Sequence, residues 1–131
     1  NGDPNIRFMD YGARGNAYGY IVDDGTIAPT AAGGSIPFAP EICIPTLKHI
    51  KYNYPAAYGQ YGFKDAFNLS YPHRDGSTGW YDQDYLGIDQ GPILIQLANY
   101  QSEIIWSVMK RNPYIVAGLR KAGFTGGWLG K

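Results

Sequence analysis

Cysteine, charge and long apolar runs are what this sequence has least of. Cys43 is the one cysteine in 131 residues. No disulfide can therefore close within the chain and no thiolate cluster can form. Two histidines, His49 and His73, supply at most part of a metal site. Charged residues make up 17% and cancel, eleven Lys/Arg against eleven Asp/Glu. That balance argues against a nucleic-acid partner, which needs a basic face or stripe, and against an acidic or basic tail. No apolar run approaches the length of a membrane span, so no membrane partner is expected. Glycine is absent from 35–58 and from 92–117, although the chain holds 18 glycines. Glycine costs about 1 kcal/mol inside a helix, so these two stretches are the helix candidates.

What is present is aromatic. Apolar residues reach 44%, which excludes disorder. Aromatics reach 15%, and twelve of them are Tyr. A chain rich in Tyr and Gly but poor in charge either shows aromatic surface to a neutral ligand or fills its core with rings.

The stretch from Pro92 is the stronger helix. Ile93, Leu97, Ile104 and Val108 share one face, and Leu94, Ala98, Ile105 and Met109 an adjacent one. The wide apolar arc predicts a long buried helix over 92–111, with Lys110 and Arg111 at its C-terminal dipole. Asn112-Pro113 reads as an N-cap and first turn. A short helix over 113–122 should follow, with Gly123 just past its end and Phe124 beyond. In the first stretch Cys43, Leu47, Ile50 and Tyr54 fall at helical spacing. That helix starts near Pro45, or at Pro40 with a bend. Cys43 on its stripe is expected to be a small core residue. Segments 1–34 and 55–91 read as long ordered loops with a few short strands, and loops of this size tend to be functional.

The densest candidate site is the loop 58–91. It holds Asp65, Asp75, Asp82, Asp84 and Asp89 beside Trp80 and a series of Tyr and Phe. Sugar recognition needs this combination: pyranose C–H faces stack on rings, and hydroxyls need charged or amide partners. Two carboxylates can also supply acid and base for glycosidic cleavage. The plainer alternative makes Asp89 a helix cap and the tyrosines core edges with wet hydroxyls. Asp75, Asp82 and Asp84 also suggest a calcium loop, but the spacing departs from the EF-hand pattern; no metal is assigned. His73-Arg74-Asp75 reads as a turn rather than a base and its orienter. Asn68-Leu69-Ser70 fits a glycosylation sequon.

Two strings carry a resemblance. One is Gly25-Thr26-Ile27-Ala28-Pro29-Thr30-Ala31-Ala32-Gly33-Gly34-Ser35-Ile36-Pro37-Phe38-Ala39-Pro40-Glu41. The other runs from Tyr61-Gly62-Phe63-Lys64-Asp65-Ala66-Phe67-Asn68 through Trp80 to Gly87-Ile88-Asp89-Gln90-Gly91-Pro92. With Asn99-Tyr100 and Ile105-Trp106, these resemble the C-terminal part of the bacterial glucoamylase-like proteins, a family that includes endo-acting β-1,2-glucanases. The resemblance implies an all-α (α/α)6 toroid with long loops and a few short strands, of which residues 1–131 are a C-terminal portion. It implies hydrolysis of a glucan without a cofactor, by a parent whose missing N-terminal segment completes the cavity, and a periplasmic or secreted location. Glu41, Asp65, Asp89 and Gln90 match the family pattern and are expected near the cavity. Glu41 and Asp89 are the catalytic candidates, although the family's acid and base are expected in the absent part. Tyr71, Trp80 and Tyr81 are the expected stacking residues. Ala98 and Lys64 depart from the pattern, which usually has Glu and an aromatic there. The alternative is a non-catalytic carbohydrate-binding protein. The wide apolar arcs also predict self-association or a missing segment that covers them.

Overall fold

A computed structural model describes residues 25–72 and 78–130. Helices dominate. They are α1 (Pro29–Gly34), α2 (Pro40–Asn53), α3 (Gly87–Ser102), α4 (Ile104–Lys110) and α5 (Pro113–Lys121). Between α2 and α3 lie β1 (Tyr58–Gly59), β2 (Gly62–Phe63), β3 (Phe67–Pro72) and β4 (Thr78–Tyr81). The strands form two antiparallel pairs, β1 with β2 and β3 with β4. The helix-rich composition and the few short strands agree with the sequence. Among the described residues no helix is long and apolar enough to cross a membrane.

α2 starts at Pro40 and runs through Pro45, so the earlier of the two expected starts holds. Pro40 suits a first turn because its missing N–H would have no partner there. Cys43 and Ile50 are the buried residues of this helix, as the stripe required. The chain leaves it at Tyr54, where Pro55 opens a single 3-10 turn. Ile50, Ala57 and Phe67 then form the core, with Tyr54, Phe63 and Tyr81 packed on it. Phe67 lies 5.4 Å from Tyr54 and 5.7 Å from Tyr81, centroid to centroid, the latter ring nearly parallel at 12°. Opposite pairing of Phe67 with Tyr81 across β3 and β4 produces that stack. Ile27 extends the sheet by exchanging two 2.9 Å backbone hydrogen bonds with Phe67.

α1 is a short helix in a segment expected to be loop. Its tail, Gly33-Gly34, hides it from propensity. Gly33 is there for close packing: a Cβ at this position would lie 2.8 Å from Cγ1 of Ile93. α1 thus lies directly on α3.

The single buried helix expected over 92–111 is corrected in three respects. It begins five residues earlier, at Gly87, and carries Pro92 inside rather than at its start. It breaks at Glu103, whose φ of 52° is left-handed, a conformation that disfavours a Cβ by about 1–2 kcal/mol. The break is held by Asn99, which is 2% exposed and whose Oδ1 accepts the Trp106 N–H at 3.0 Å. That bond satisfies a donor that the first turn of α4 would leave orphaned. Nor is the helix buried: Leu94, Leu97, Ile104, Ile105, Val108 and Met109 are all exposed. The apolar arcs are real: α1 covers Ile93, and the rest stands open among the described residues.

α5 ends as expected. Asn112 accepts from the Tyr114 and Ile115 N–H groups at 2.9 and 3.4 Å. At the other end Gly123 takes φ 86°. Its N–H reaches the Arg120 carbonyl and that of Phe124 the Leu119 carbonyl, both at 3.0 Å. This is a Schellman close, with Gly123 in the left-handed position.

Candidate functional site

An open cleft of about 510 Å³ lies between α1 and the first turns of α3. Thr30, Ala31 and Ser35 line one side, Leu86, Asp89 and Pro92 the other, and Asp65 also faces it. Two of the aspartates singled out in the sequence therefore meet here, although 24 positions apart.

Asp65 stands in the connection between β2 and β3 and is 5% exposed. Backbone bonds fix this connection on both sides. Lys64 N–H donates to the Ala57 carbonyl at 2.9 Å, Asp65 N–H to that of Asp84 at 3.4 Å, and Asp82 N–H to that of Ala66 at 2.9 Å. Asp89 sits in the first turn of α3, where its N–H donates to the Leu86 carbonyl at 3.0 Å. It is part of the helix, not its cap; the cap position is Leu86. The two carboxyl groups hydrogen-bond each other. Burial, above all, raises the Asp89 carboxyl above the ordinary carboxylate range, and the bond to Asp65 and its charge add to the rise. A carboxyl pair in contact holds a proton readily, because two adjacent negative charges repel. Asp89 in its protonated form can donate one hydrogen bond, and the other carboxyl oxygens accept.

Asp82 is 4% exposed. Its Oδ1 accepts from the Gln83 and Asp84 N–H groups at 2.6 and 3.0 Å. Burial raises its pKa, and these two bonds oppose the rise, while the Asp84 and Asp65 carboxylates add to it. Asp82 therefore shapes the chain as it leaves β4. Among the described residues no three His, Cys, Asp or Glu side chains are grouped to hold a metal ion. His73 and Asp75 lie outside the described residues.

The other candidates are dispersed. Gln90 follows Asp89 and donates from Nε2 to the Phe63 carbonyl at 2.7 Å, tying the β1–β2 hairpin to α3. Tyr81 is half-buried on Phe67, and burial, with Tyr54 adding, raises its hydroxyl pKa. Trp80 precedes it on β4 and so projects from the opposite face, across from Asn68. Tyr71 is half-buried on β3. None of these three rings lines the cleft. Glu41 is exposed in the first turn of α2 and does not line it either. Asn68 is 0% exposed, donates to Thr26 Oγ1 at 3.0 Å and accepts the Ser70 N–H at 2.8 Å. The sequon asparagine is thus enclosed, and the fold leaves no room there for a glycan. Sequence reasoning missed Thr30, which is 5% exposed at the cleft; Pro29 before it was the available helix-start signal.

The family model Glycoamylase, described as "Putative glucoamylase", matches residues 2–113. A solved structure of a protein of that description from Bacteroides uniformis is 41% identical with a TM-score of 0.68; the match covers 82% of this chain and 24% of that one. The endo-β-1,2-glucanase of Chitinophaga pinensis, solved with sophorotriose and glucose, is 39% identical with a TM-score of 0.62, over 76% of this chain and 22% of that one. A curated relative, the exo β-1,2-glucooligosaccharide sophorohydrolase of Parabacteroides distasonis, is 31% identical over 100 residues. That is 76% of this chain but 13% of the relative. The chain thus spans a quarter or less of the length of each of these proteins.

Proposed function

Because this chain belongs to the glycoamylase family, we propose that it forms part of the sugar cleft of a β-1,2-glucan hydrolase. The contact pair Asp65–Asp89 in the open cleft carries this reading. A glucan presents hydroxyls that both donate and accept, and two adjacent carboxyl groups, with Asp89 held towards its protonated form, can answer both. The relatives supply the linkage, since two of them act on β-1,2-linked glucose.

The pair binds and orients the sugar rather than cleaving it. Glycosidase carboxyl groups stand about 5–5.5 Å apart when retaining and about 6.5–9.5 Å when inverting. Hydrogen-bonded carboxyls are closer than either and leave no room for a scissile bond. The acid and base are expected from the rest of the intact protein, as the family resemblance implies. Residues 1–131 are the C-terminal part of one (α/α)6 toroid, and the exposed apolar arcs of α3 and α4 pack on its remaining helices. Such a hydrolase, working on a polymeric glucan, belongs in the periplasm or outside the cell.

Reducing-sugar release from β-1,2-glucan tests this. The intact protein is expected to release sophoro-oligosaccharides and residues 1–131 alone to release nothing. An intact protein that leaves β-1,2-glucan uncut would overturn the substrate assignment. Hydrolysis by residues 1–131 alone would overturn the division of labour.

A further inference from the structure

The tip of the β1–β2 hairpin presents an aromatic ring that neither the cleft nor the core uses. Tyr61 is 69% exposed. It is nevertheless held: the Tyr85 ring meets it edge to face, 5.4 Å away at 88°. Tyr85 is fixed in turn, because its hydroxyl lies against Gly59, where a Cβ would collide with it. The hairpin is pinned to α3 by the Gln90–Phe63 bond. Both anchors adjoin the cleft, since Tyr85 precedes Leu86 and Gln90 follows Asp89, and Leu86 and Asp89 line it.

We propose that Tyr61, braced by Tyr85, is a sugar-stacking residue that extends the Asp65–Asp89 cleft by one binding position. The proposal rests on the glucan reading above. A pyranose lays its C–H face on an aromatic ring. A ring already fixed on one side loses little freedom when the sugar arrives, so the contact favours binding. Gln60, exposed beside it, offers an amide to the sugar's hydroxyls. Tyr61 is a specificity and affinity residue and takes no part in bond cleavage.

The test uses the intact protein with sophorotriose as the probe, measured by calorimetry, together with kinetics on β-1,2-glucan and melting temperature. Tyr61→Ala should weaken sophorotriose binding about 3- to 10-fold and raise KM with kcat held. Its melting temperature should be unchanged, because an exposed ring contributes little to the fold. Tyr61→Phe should keep wild-type affinity, since the ring rather than the hydroxyl makes the contact. Wild-type affinity in Tyr61→Ala, or a lower melting temperature that marks the ring as packed against the rest of the protein, would overturn the inference alone. Failure of the wild-type protein to bind sophorotriose would overturn the glucan reading and this inference with it.

Discussion

The carboxyl groups of Asp65 and Asp89 hydrogen-bond each other at an open cleft, one from the strand connection and one from the first turn of a helix. Their contact joins the two parts of the fold that the sequence keeps separate, the hairpin region and the long helix. It also adds to the rise that burial gives the Asp89 carboxyl.

The pH dependence of stability follows from that contact. Asp89 has a raised pKa when folded, so the fold favours its protonated form. Its stabilising contribution is complete below the unfolded carboxylate value of about 3.9 and is lost as pH rises through the folded value. Asp89→Asn cannot ionise and still carries a donor for Asp65. In the intact protein the variant should melt higher than wild type at pH 8, with the gap closing towards about pH 4. A gap that widens on acidification would contradict the assigned shift.

Gln90 ties the β1–β2 hairpin to α3 through its 2.7 Å bond to the Phe63 carbonyl. Gln90→Ala should cost about 0.5–1.5 kcal/mol, the ordinary net value of one hydrogen bond. Hydrogen exchange should quicken in the hairpin amides before it does in α2. Equal protection in wild type and variant would show that the hairpin is held by something else.

Gly33 admits Ile93 where a methyl group would not fit. Gly33→Ala should therefore destabilise by about 1–3 kcal/mol through overpacking, against the usual gain of Gly→Ala in a helix. Chemical denaturation reads the sign directly. The pair Gly33→Ala with Ile93→Ala should recover part of the loss relative to Ile93→Ala alone, as a shared contact requires.

Asn99 holds the break between α3 and α4. Asn99→Ala leaves the Trp106 N–H without its partner and opens a small space. A loss of about 1–3 kcal/mol is expected for an unsatisfied buried donor. The Trp106 amide should exchange faster, while Asn112, which caps α5 independently, keeps its neighbours protected.

The parts legible in the sequence were those set by local chemistry. The Asn112 cap, the Gly123 close and the Cys43–Ile50 stripe each depend on neighbours within a turn or two, and each is where the pattern put it. The break at Glu103 was not legible, because a Glu after Gln101-Ser102 carries no stop signal. It follows from Asn99 reaching seven residues ahead. The depth of the apolar arcs misled for a related reason. A wide arc shows that a face prefers to be covered, but the covering partner is not written in the helix itself.

The same division holds for the site. Composition selected the acidic, aromatic loop 58–91 with its five aspartates, because carboxylates among rings are a chemical signal that survives unfolding, and the family resemblance singled out Asp65 and Asp89 among them. Only the tertiary structure decided that these two meet at one cleft while Glu41 lies on a solvent-facing turn, and that Tyr81 stacks on Phe67 while Tyr61 stands open. Such choices depend on which side chains meet across the chain, and that is fixed by Gly33 seating α1 on α3 and by strand register, not by any residue alone.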